Sequence, residues 1–242
     1  AAGFRGGDRT EIELPAVQRR VVEALKTAGK RIVFVNFSGA AIALEPESLN
    51  CEAILQAWYP GQAGGQAVAE VLFGDYNPAG KLPLTFYRNL AQIPDFEDYN
   101  MTGRTYRYMK ETPLFPFGHG LSYTTFKYGK LKMNDDKIAV GQNLNLVIPV
   151  TNTGSRDGDE VVQVYLKKMD DTEGPVKTLR AFKRVRIPAG KTVEVKFSLD
   201  DTQLEWWDEQ NNTMRVCPGN YTVMIGGTSC EKSLLSRAFT IR

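Results

Sequence analysis

The residues that most invite a chemical interpretation are the glycines of WYPGQAGGQ, because glycine-rich turns that open helices often hold phosphate groups. Gly61, Gly64 and Gly65 follow a predicted strand and precede a predicted helix. Their spacing matches neither G-x-G-x-x-G nor the P-loop, which also needs a Lys followed by Ser or Thr. The pattern therefore favours a structural role, in which glycine permits a tight turn and close backbone packing.

His119 is the only histidine and lies between two glycines in FPFGHGLSY. A Ser-His-Asp triad could use Ser38 or Ser122, but neither serine lies in a G-x-S-x-G turn. One histidine cannot build a His-rich metal site. We therefore expect His119 to be a packed or turn residue.

The cysteines form neither a disulfide framework nor a zinc pattern, because Cys51, Cys217 and Cys230 are an odd and irregularly spaced set. A strand-forming run, NYTVMIGG, separates Cys217 from Cys230. A strand rises about 3.3 Å per residue, so the pair would lie too far apart for a disulfide. We expect three free thiols.

Carboxylates are scattered along the chain, and the ones that attract attention are Asp8, Glu11, Glu13, Asp75, Asp95, Glu97, Asp98, Asp159 and Glu160. Glycoside hydrolysis needs two carboxyls that face each other across a substrate, which spacing along a chain cannot show. The run DFED at 95–98 lacks the twelve-residue pattern of a calcium loop. We expect it to be a solvated acidic loop.

The adjacent Trp206 and Trp207 could offer a surface on which a sugar stacks. Neighbouring side chains of a strand point to opposite faces, so one indole should lie in a core and the other at the surface. Interface packing is the alternative role for the exposed one.

Bulk composition excludes several functions. The chain has 242 residues, enough for two domains, with 42% hydrophobic and 24% charged residues. Its net charge of +2 is spread out and gives no electrostatic support for nucleic-acid or membrane-surface binding. Apolar runs such as IVFVNF are far too short to span a membrane.

The elements that must position these residues change character along the chain. In the first half, LPAVQRRVVEALKTAG (14–29) predicts a helix that starts at Pro15 and ends at Gly29. Its expected apolar face consists of Leu14, Val17, Val21, Val22 and Leu25. The runs at 31–37 and 53–59 predict strands covered on both faces, 66–74 predicts a helix ended by Gly74, and LPLTF at 82–86 predicts a third strand. This alternation indicates an incomplete α/β layer with parallel strands.

The second half contains alternating strand patterns separated by NTG, PAG, PGN and GG turns. The predicted strands lie within 143–154, 159–169, 176–190, 191–200 and 220–227. Short strands at this spacing without helices predict a β-sandwich of about 100 residues. Residues 87–125, rich in Tyr, Pro and Gly, fit neither pattern and predict an ordered connector.

Several motifs together resemble the C-terminal part of glycoside hydrolase family 3, the family of β-glucosidases and β-xylosidases. They occur in the family's order across nearly the whole chain: GGDRTEIELPAVQ, AILQAWYPGQAGGQAVAEVLFGDYNPAGKLPLTF, GRTYRY, PLFPFGHGLSYTTF, VTNTGSRDGDEVVQVYL and CPGNYTVMIGG. GFRGGDRT combined with RTYRYM leans toward the β-xylosidase-like members. The resemblance implies a multidomain α/β plus all-β architecture. The C-terminal portion of an α/β sandwich domain would occupy 1–125, with its connector at 87–125, and a fibronectin type III-like β-sandwich would occupy 126–242.

The resemblance also implies an activity. Members retain the anomeric configuration with an Asp nucleophile and a Glu acid/base about 5–5.5 Å apart. The Asp belongs to an N-terminal barrel, and the Glu precedes the G-x-D-R motif, which here is Gly6 to Arg9. We therefore expect no catalytic residue in this chain, and an inactive, supporting fragment of an exo-acting β-xylosidase or β-glucosidase of plant-type oligosaccharides. The expected sugar contacts are Arg9, Trp206 and Trp207.

The mechanism that the resemblance implies needs no cofactor or metal, and its oligosaccharide substrate would be held through the barrel. The dispersed charge and the short apolar runs argue against nucleic-acid and membrane partners. The resemblance implies a periplasmic or secreted location. A truncated α/β domain would expose apolar surface and favour self-association. Two alternatives stay open: a carbohydrate-binding module that uses the tryptophans and connector tyrosines, and a purely structural or interaction module.

Overall fold

The computed structural model describes residues 10–242. The chain forms two compact units, which are described separately. The described part of the first comprises residues 10–75, 84–105 and 109–116, and the second comprises 76–83, 106–108 and 117–242. The predicted α/β and all-β parts are both present.

The first unit is a mixed helix and sheet structure. Its elements are α1 (Ala16–Thr27), β1 (Val33–Asn36), α2 (Glu45–Asn50), β2 (Ala53–Gln56) and α3 (Gly64–Phe73). Strands β1 and β2 pair in parallel, with Val33 opposite Ala53. The predicted parallel α/β arrangement is therefore confirmed for these two strands.

Helix α1 has the predicted limits but only part of the predicted burial. Pro15 precedes it, and Gly29, with φ of +68°, follows it in the left-handed conformation that glycine favours. Val22 is buried, whereas Val17 and Val21 are 60% and 56% exposed. The apolar face is thus partly open to solvent in this unit, and self-association through it stays a prediction that light scattering tests.

The predicted strand at 82–86 is wrong. It forms one isolated antiparallel bridge, in which the Phe86 N–H donates to the Phe115 carbonyl at 2.9 Å, and Leu82 makes separate backbone bonds with Gly118 and His119 without forming a ladder. Pro83 has no N–H to donate to a ladder, and the division between the units falls within this run. Helix α2 was not predicted, because six residues are too few to show a helical period.

The second unit includes residues 106–108 of the one-turn helix α4 (Thr105–Tyr108). Its strands are β3 (Phe126–Tyr128), β4 (Lys132–Met133), β5 (Lys137–Ile138), β6 (Leu144–Asn152), β7 (Gly158–Lys168), β8 (Thr178–Ile187), β9 (Thr192–Leu199), β10 (Trp206–Asp208), β11 (Thr213–Arg215), β12 (Gly219–Gly226) and β13 (Leu235–Ile241). A short helix, α5 (Asp201–Leu204), precedes β10.

Two sheets make the sandwich within the described residues. One has the order β5-β13-β12-β7-β8, and in the other β6 pairs with β3, β4 and β9, while β10 and β11 form a separate hairpin. The predicted alternation is clear in β6, where Leu144, Leu146, Ile148 and Val150 have no exposed surface. Each such buried side chain contributes roughly 1.5–3 kcal/mol to folding. The core between the sheets holds this unit together.

Strand β7 is buried on both faces, because three other stretches of the second unit lie against the sandwich. Tyr106 stacks on Phe117 with ring centroids 4.3 Å apart and meets the fully buried Tyr165 edge to face at 5.9 Å. Thus residues 76–83, 106–108 and 117–125, which the sequence places with the α/β domain and its connector, form part of the second unit.

The three cysteines are free thiols, as predicted. None of the helices between residues 10 and 242 is long and apolar enough to cross a membrane.

Candidate functional site

The carboxyl ends of parallel strands are where open α/β sheets place their ligands. Strand β1 ends at Asn36 and β2 ends beside it at Gln56. The loops 37–44 and 57–63 follow these two strand ends. We call these loops and the two strand ends the carboxyl edge, and we take it as the candidate site.

A network of side-chain amides joins the two strand ends of the carboxyl edge. The side-chain amide of Asn36 donates to Gln56 Oε1 at 2.6 Å and to Ser38 Oγ at 2.9 Å. Gln56 Nε2 donates to the Ser38 carbonyl at 3.1 Å, and the Ser38 hydroxyl donates to the Ala40 carbonyl at 3.0 Å. Because Asn36 is buried, these bonds hold both strand ends and the turn after β1 in one arrangement.

Two aromatic residues follow β2. Trp58 has φ of +56°, which a bulky side chain seldom adopts and which costs on the order of 1–3 kcal/mol. Its ring meets that of Phe86 edge to face, with centroids 6.2 Å apart. Tyr59 is 79% exposed, and its ring lies against Gly39 so closely that a Cβ there would collide with Cε2.

The carboxyl edge carries no charge. Residues 32–44 and 53–69 include no Asp, Glu, Lys or Arg. Phosphate and carboxylate ligands are usually held by Arg or Lys, and hard metal ions by carboxylates. The edge therefore lacks the charged side chains that usually bind anions and hard metal ions.

Gly64 and Gly74 of this region have structural roles. A Cβ on Gly64, the first residue of α3, would collide with the ring of Pro60, while Gly65 faces open space. Gly74 ends α3 in the left-handed conformation with φ of +84°, as predicted. Close backbone approach thus explains Gly64 without a phosphate.

We expect Gly64→Ala to destabilise the first unit by about 1–3 kcal/mol, because the proline ring cannot rotate away from the added methyl. Urea unfolding followed by circular dichroism measures the change. Gly65→Ala is the matched control and should be neutral or slightly stabilising, since alanine favours helix more than glycine does. Equal effects of the two substitutions would contradict this explanation.

The two tryptophans lie on opposite sides of β10, as predicted. Trp206 is 4% exposed, and its Nε1 donates to Asp171 Oδ2 at 2.6 Å. The predicted sugar contact of Trp206 is therefore corrected, because an indole in the sandwich core offers no stacking surface. Trp207 is 50% exposed and stays a candidate. Arg9 lies outside the described residues.

His119 is part of the second unit, where its carbonyl accepts a hydrogen bond from the Leu82 N–H at 2.8 Å. Burial, reinforced by the nearby Lys81 ammonium, lowers the pKa of its imidazole below the usual value. A neutral, partly buried ring agrees with the predicted packing role.

The acidic residues whose surroundings are defined support structure. Asp159 pairs with Arg184 at 2.7 Å, and Glu160 pairs with Lys81 at 3.3 Å. In the acidic run, Asp95 Oδ1 accepts from the Glu97 N–H at 2.9 Å, so this carboxylate closes a turn. Over residues 10–242, no group of three or more His, Cys, Asp or Glu side chains could hold a metal ion.

A cavity of about 500 Å³ lies at the start of α1 in the first unit. Glu11, Glu13, Arg19 and Arg20 contribute to its walls. Arg19 Nε also reaches the buried Glu47 at 3.0 Å. Sequence reasoning missed this ion pair, because its partners are 28 residues apart and no local pattern joins them.

The carboxyl edge itself was also missed as a site. Its partners, such as Asn36 and Gln56, are 20 residues apart in the chain. The available signal was the lack of charge in both segments that contain strands and their following loops. That signal indicates a ligand class only once the two loops are known to be neighbours.

Comparison with known proteins gives the family. Residues 3–123 match the glycosyl hydrolase family 3 C-terminal domain, and residues 160–229 match the fibronectin type III-like domain. The chain is 54% identical over 239 residues to a xylan 1,4-beta-xylosidase of Xylanibacter ruminicola, covering 99% of this chain and 27% of that protein. It is 39% identical over 236 residues to a periplasmic beta-glucosidase of Salmonella typhimurium, covering 92% and 31%.

Solved structures of β-glucosidases are similar to this chain over nearly its whole length. A β-glucosidase from Erythrobacter marinus superposes with a TM-score of 0.86 at 38% identity, covering 100% of this chain and 32% of that one. A β-glucosidase from Bifidobacterium adolescentis gives 0.85 at 31% identity, covering 99% and 37%. The chain thus spans about a third of the length of its relatives. The chain belongs to glycosyl hydrolase family 3 and carries the family's C-terminal domain together with a fibronectin type III-like domain.

Proposed function

We propose that this chain works as the supporting C-terminal part of an exo-acting, retaining β-glycosidase that removes xylose or glucose from the ends of plant-type oligosaccharides. The observation that carries the proposal is the 54% identity over 99% of the chain to a protein named xylan 1,4-beta-xylosidase. Further relatives named beta-glucosidase and beta-xylosidase are 39% and 38% identical, so they do not separate the two sugars. The 54% identity makes xylosides the first substrates to test.

We propose that both reacting carboxyls of this enzyme lie outside residues 10–242. A retaining mechanism needs a nucleophile and an acid/base about 5–5.5 Å apart across the bond. Among the described acids, Glu47 and Glu160 are buried in ion pairs with Arg19 and Lys81. Carboxylates held in this way stabilise the fold and are not open to a sugar.

The experiment uses the parent protein, meaning the complete product of the reading frame that contains this chain. We expect it to hydrolyse xylo-oligosaccharides or cello-oligosaccharides with release of single sugars from one end. Proton NMR of the first product should show the β-anomer before mutarotation. Release of the α-anomer, or of mixed longer fragments from the start, would contradict the proposal.

A second candidate function is carbohydrate binding by the second unit, favoured by the half-exposed Trp207. Affinity electrophoresis of the chain in gels that contain xylan or β-glucan tests it. Retardation that Trp207→Ala removes, and that Phe182→Ala on β8 preserves, would support this function. Equal mobility with and without polysaccharide would end it.

We also propose that the parent works in the periplasm or outside the cell. Support comes from the relative named periplasmic beta-glucosidase. Cell fractionation followed by detection of the chain tests this location, and recovery in the cytoplasmic fraction alone would contradict it.

A further inference from the structure

We propose that Tyr59 is a stacking platform for a pyranose ring of the oligosaccharide, on the leaving-group side of the bond that is cleaved. This inference rests on the proposed function, because it takes the substrate of that reaction as the ligand. It adds a residue that binds substrate from the carboxyl edge, within the WYPGQAGGQ run that opens α3.

The ring of Tyr59 lies against the backbone at Gly39. The Tyr59 atoms closest to the position of a Cβ on Gly39 are Cε2, Cζ and Cδ2, all of them ring carbons. The ring therefore rests on bare backbone, while 79% of the side chain is exposed. A flat ring that is supported on one side and open on the other can pack against the apolar C–H face of a sugar.

Hydrogen bonds hold the turn on which the Tyr59 ring lies. The turn that contains Gly39 is held by Ser38, whose Oγ accepts from Asn36 Nδ2 at 2.9 Å and whose carbonyl accepts from Gln56 Nε2 at 3.1 Å. In the loop after β2, Trp58 keeps an unfavourable φ of +56° immediately before Tyr59. A ring that is already positioned loses little conformational entropy when a ligand binds.

The lack of charged residues around Tyr59 indicates the class of ligand. Because 32–44 and 53–69 contain no charged residue, the surface around Tyr59 suits a neutral polyhydroxyl ring rather than an anion or a cation. An exo-acting enzyme holds one terminal sugar between its reacting carboxyls, which we place outside residues 10–242. A further sugar ring of the same oligosaccharide that packs on Tyr59 therefore belongs to the leaving group.

The test compares substrates with and without a sugar in that position, in the parent protein. Tyr59→Ala should lower kcat/KM for xylotriose or cellotriose about five- to tenfold, the effect of losing one aromatic contact. The same variant should leave kcat/KM for the methyl β-glycoside within about twofold, because the methyl group does not reach the ring. Tyr59→Phe keeps the ring and should stay within about twofold on both substrates.

A second variant moves the ring without removing it. Gly39→Ala places a methyl 2.4 Å from the present position of Tyr59 Cε2, so the ring must move and the variant should give the same loss on the trisaccharide as Tyr59→Ala. Phe73→Ala, on an equally exposed aromatic residue at the end of α3, is the control and should change neither substrate.

The outcomes separate the two claims. An active parent in which Tyr59→Ala leaves the trisaccharide unchanged, or lowers both substrates equally, would overturn the role of Tyr59 alone. A wild-type parent that hydrolyses neither trisaccharide nor methyl glycoside would overturn the proposed function, and the role of Tyr59 with it.

Discussion

Replacing Lys81 by methionine should lower the free energy of unfolding of the second unit by about 3–5 kcal/mol, the usual cost of removing one partner of a buried ion pair. Lys81 Nζ lies 3.3 Å from Glu160 Oε2 and donates to the Gly120 carbonyl at 3.0 Å. Glu160 is only 4% exposed, so its charge would lose its ion-pair partner inside the protein.

Tyr128 cannot compensate for the lost ammonium. Its hydroxyl donates to Glu160 Oε1 at 2.8 Å. Burial, and then the Glu160 carboxylate, raises the pKa of this phenol above its usual range, so the hydroxyl stays protonated and neutral. The hydrogen bond survives in the variant, but no positive charge replaces that of Lys81.

Urea unfolding followed by tryptophan fluorescence measures the change, because Trp206 and Trp207 lie in this unit. Lys132→Met is the matched control, since Lys132 and Glu194 are 3.9 Å apart with both side chains more than half exposed. An exposed pair of this kind contributes about 0–1 kcal/mol. The double variant Lys81→Met with Glu160→Gln should regain much of the loss, and a loss below 1 kcal/mol in Lys81→Met would refute the argument.

Replacing Asn152 by alanine should cost the second unit about 3 kcal/mol, because one fully buried amide satisfies several backbone and side-chain groups. Its Nδ2 donates to the carbonyls of Ile187 at 2.9 Å and Arg156 at 2.7 Å. Its Oδ1 accepts from the Thr124 hydroxyl at 2.5 Å and from the Gly154 N–H at 3.1 Å. Alanine would leave these groups without their partner in a region that water does not reach.

Asn143→Ala provides the comparison for Asn152→Ala. The Asn143 amide donates to the Ser198 hydroxyl at 3.1 Å at an exposed position, where water can replace it. We expect a change of less than about 0.5 kcal/mol in urea unfolding for this control. Similar losses in the two variants would mean that the hydrogen bonds of the buried Asn152 amide do not stabilise the second unit.

The sandwich strands could be predicted because their signal is local. In β6, every second residue from Leu144 to Val150 is buried, and this period of two can be seen in a single short window. The two-residue strands β4 and β5 are too short to show a period. Strand β13 has four exposed residues in succession before its buried end, so its alternation is weak.

Membership of residues 76–83 in the second unit could not be predicted, because it depends on contacts between distant parts of the chain. Asn77 Nδ2 donates to the carbonyl of Asp157, 80 residues away, at 2.9 Å. Lys81 finds its partner Glu160 in the same strand region. The residue types at 76–83 do not indicate that Asp157 and Glu160 are their partners. The family motifs, in contrast, predicted both domains.

The carboxyl edge illustrates the same limit at the site. The sequence predicts strands near Asn36 and Gln56, and parallel pairing follows from the alternation of strands and helices. Contact between Tyr59 and Gly39 follows only from the positions of the two loops in space. For Trp206 and Trp207 the opposite holds, because the alternation of a strand alone predicts one buried and one exposed ring.

We propose that this chain supports a β-glycosidase whose reacting carboxyls lie elsewhere in the parent protein. The most direct test is to assay the purified chain and the parent side by side on 4-nitrophenyl β-xyloside and β-glucoside. We expect rapid release of nitrophenol by the parent and none above the buffer rate by the chain. Turnover by the chain at a rate close to that of the parent would contradict it.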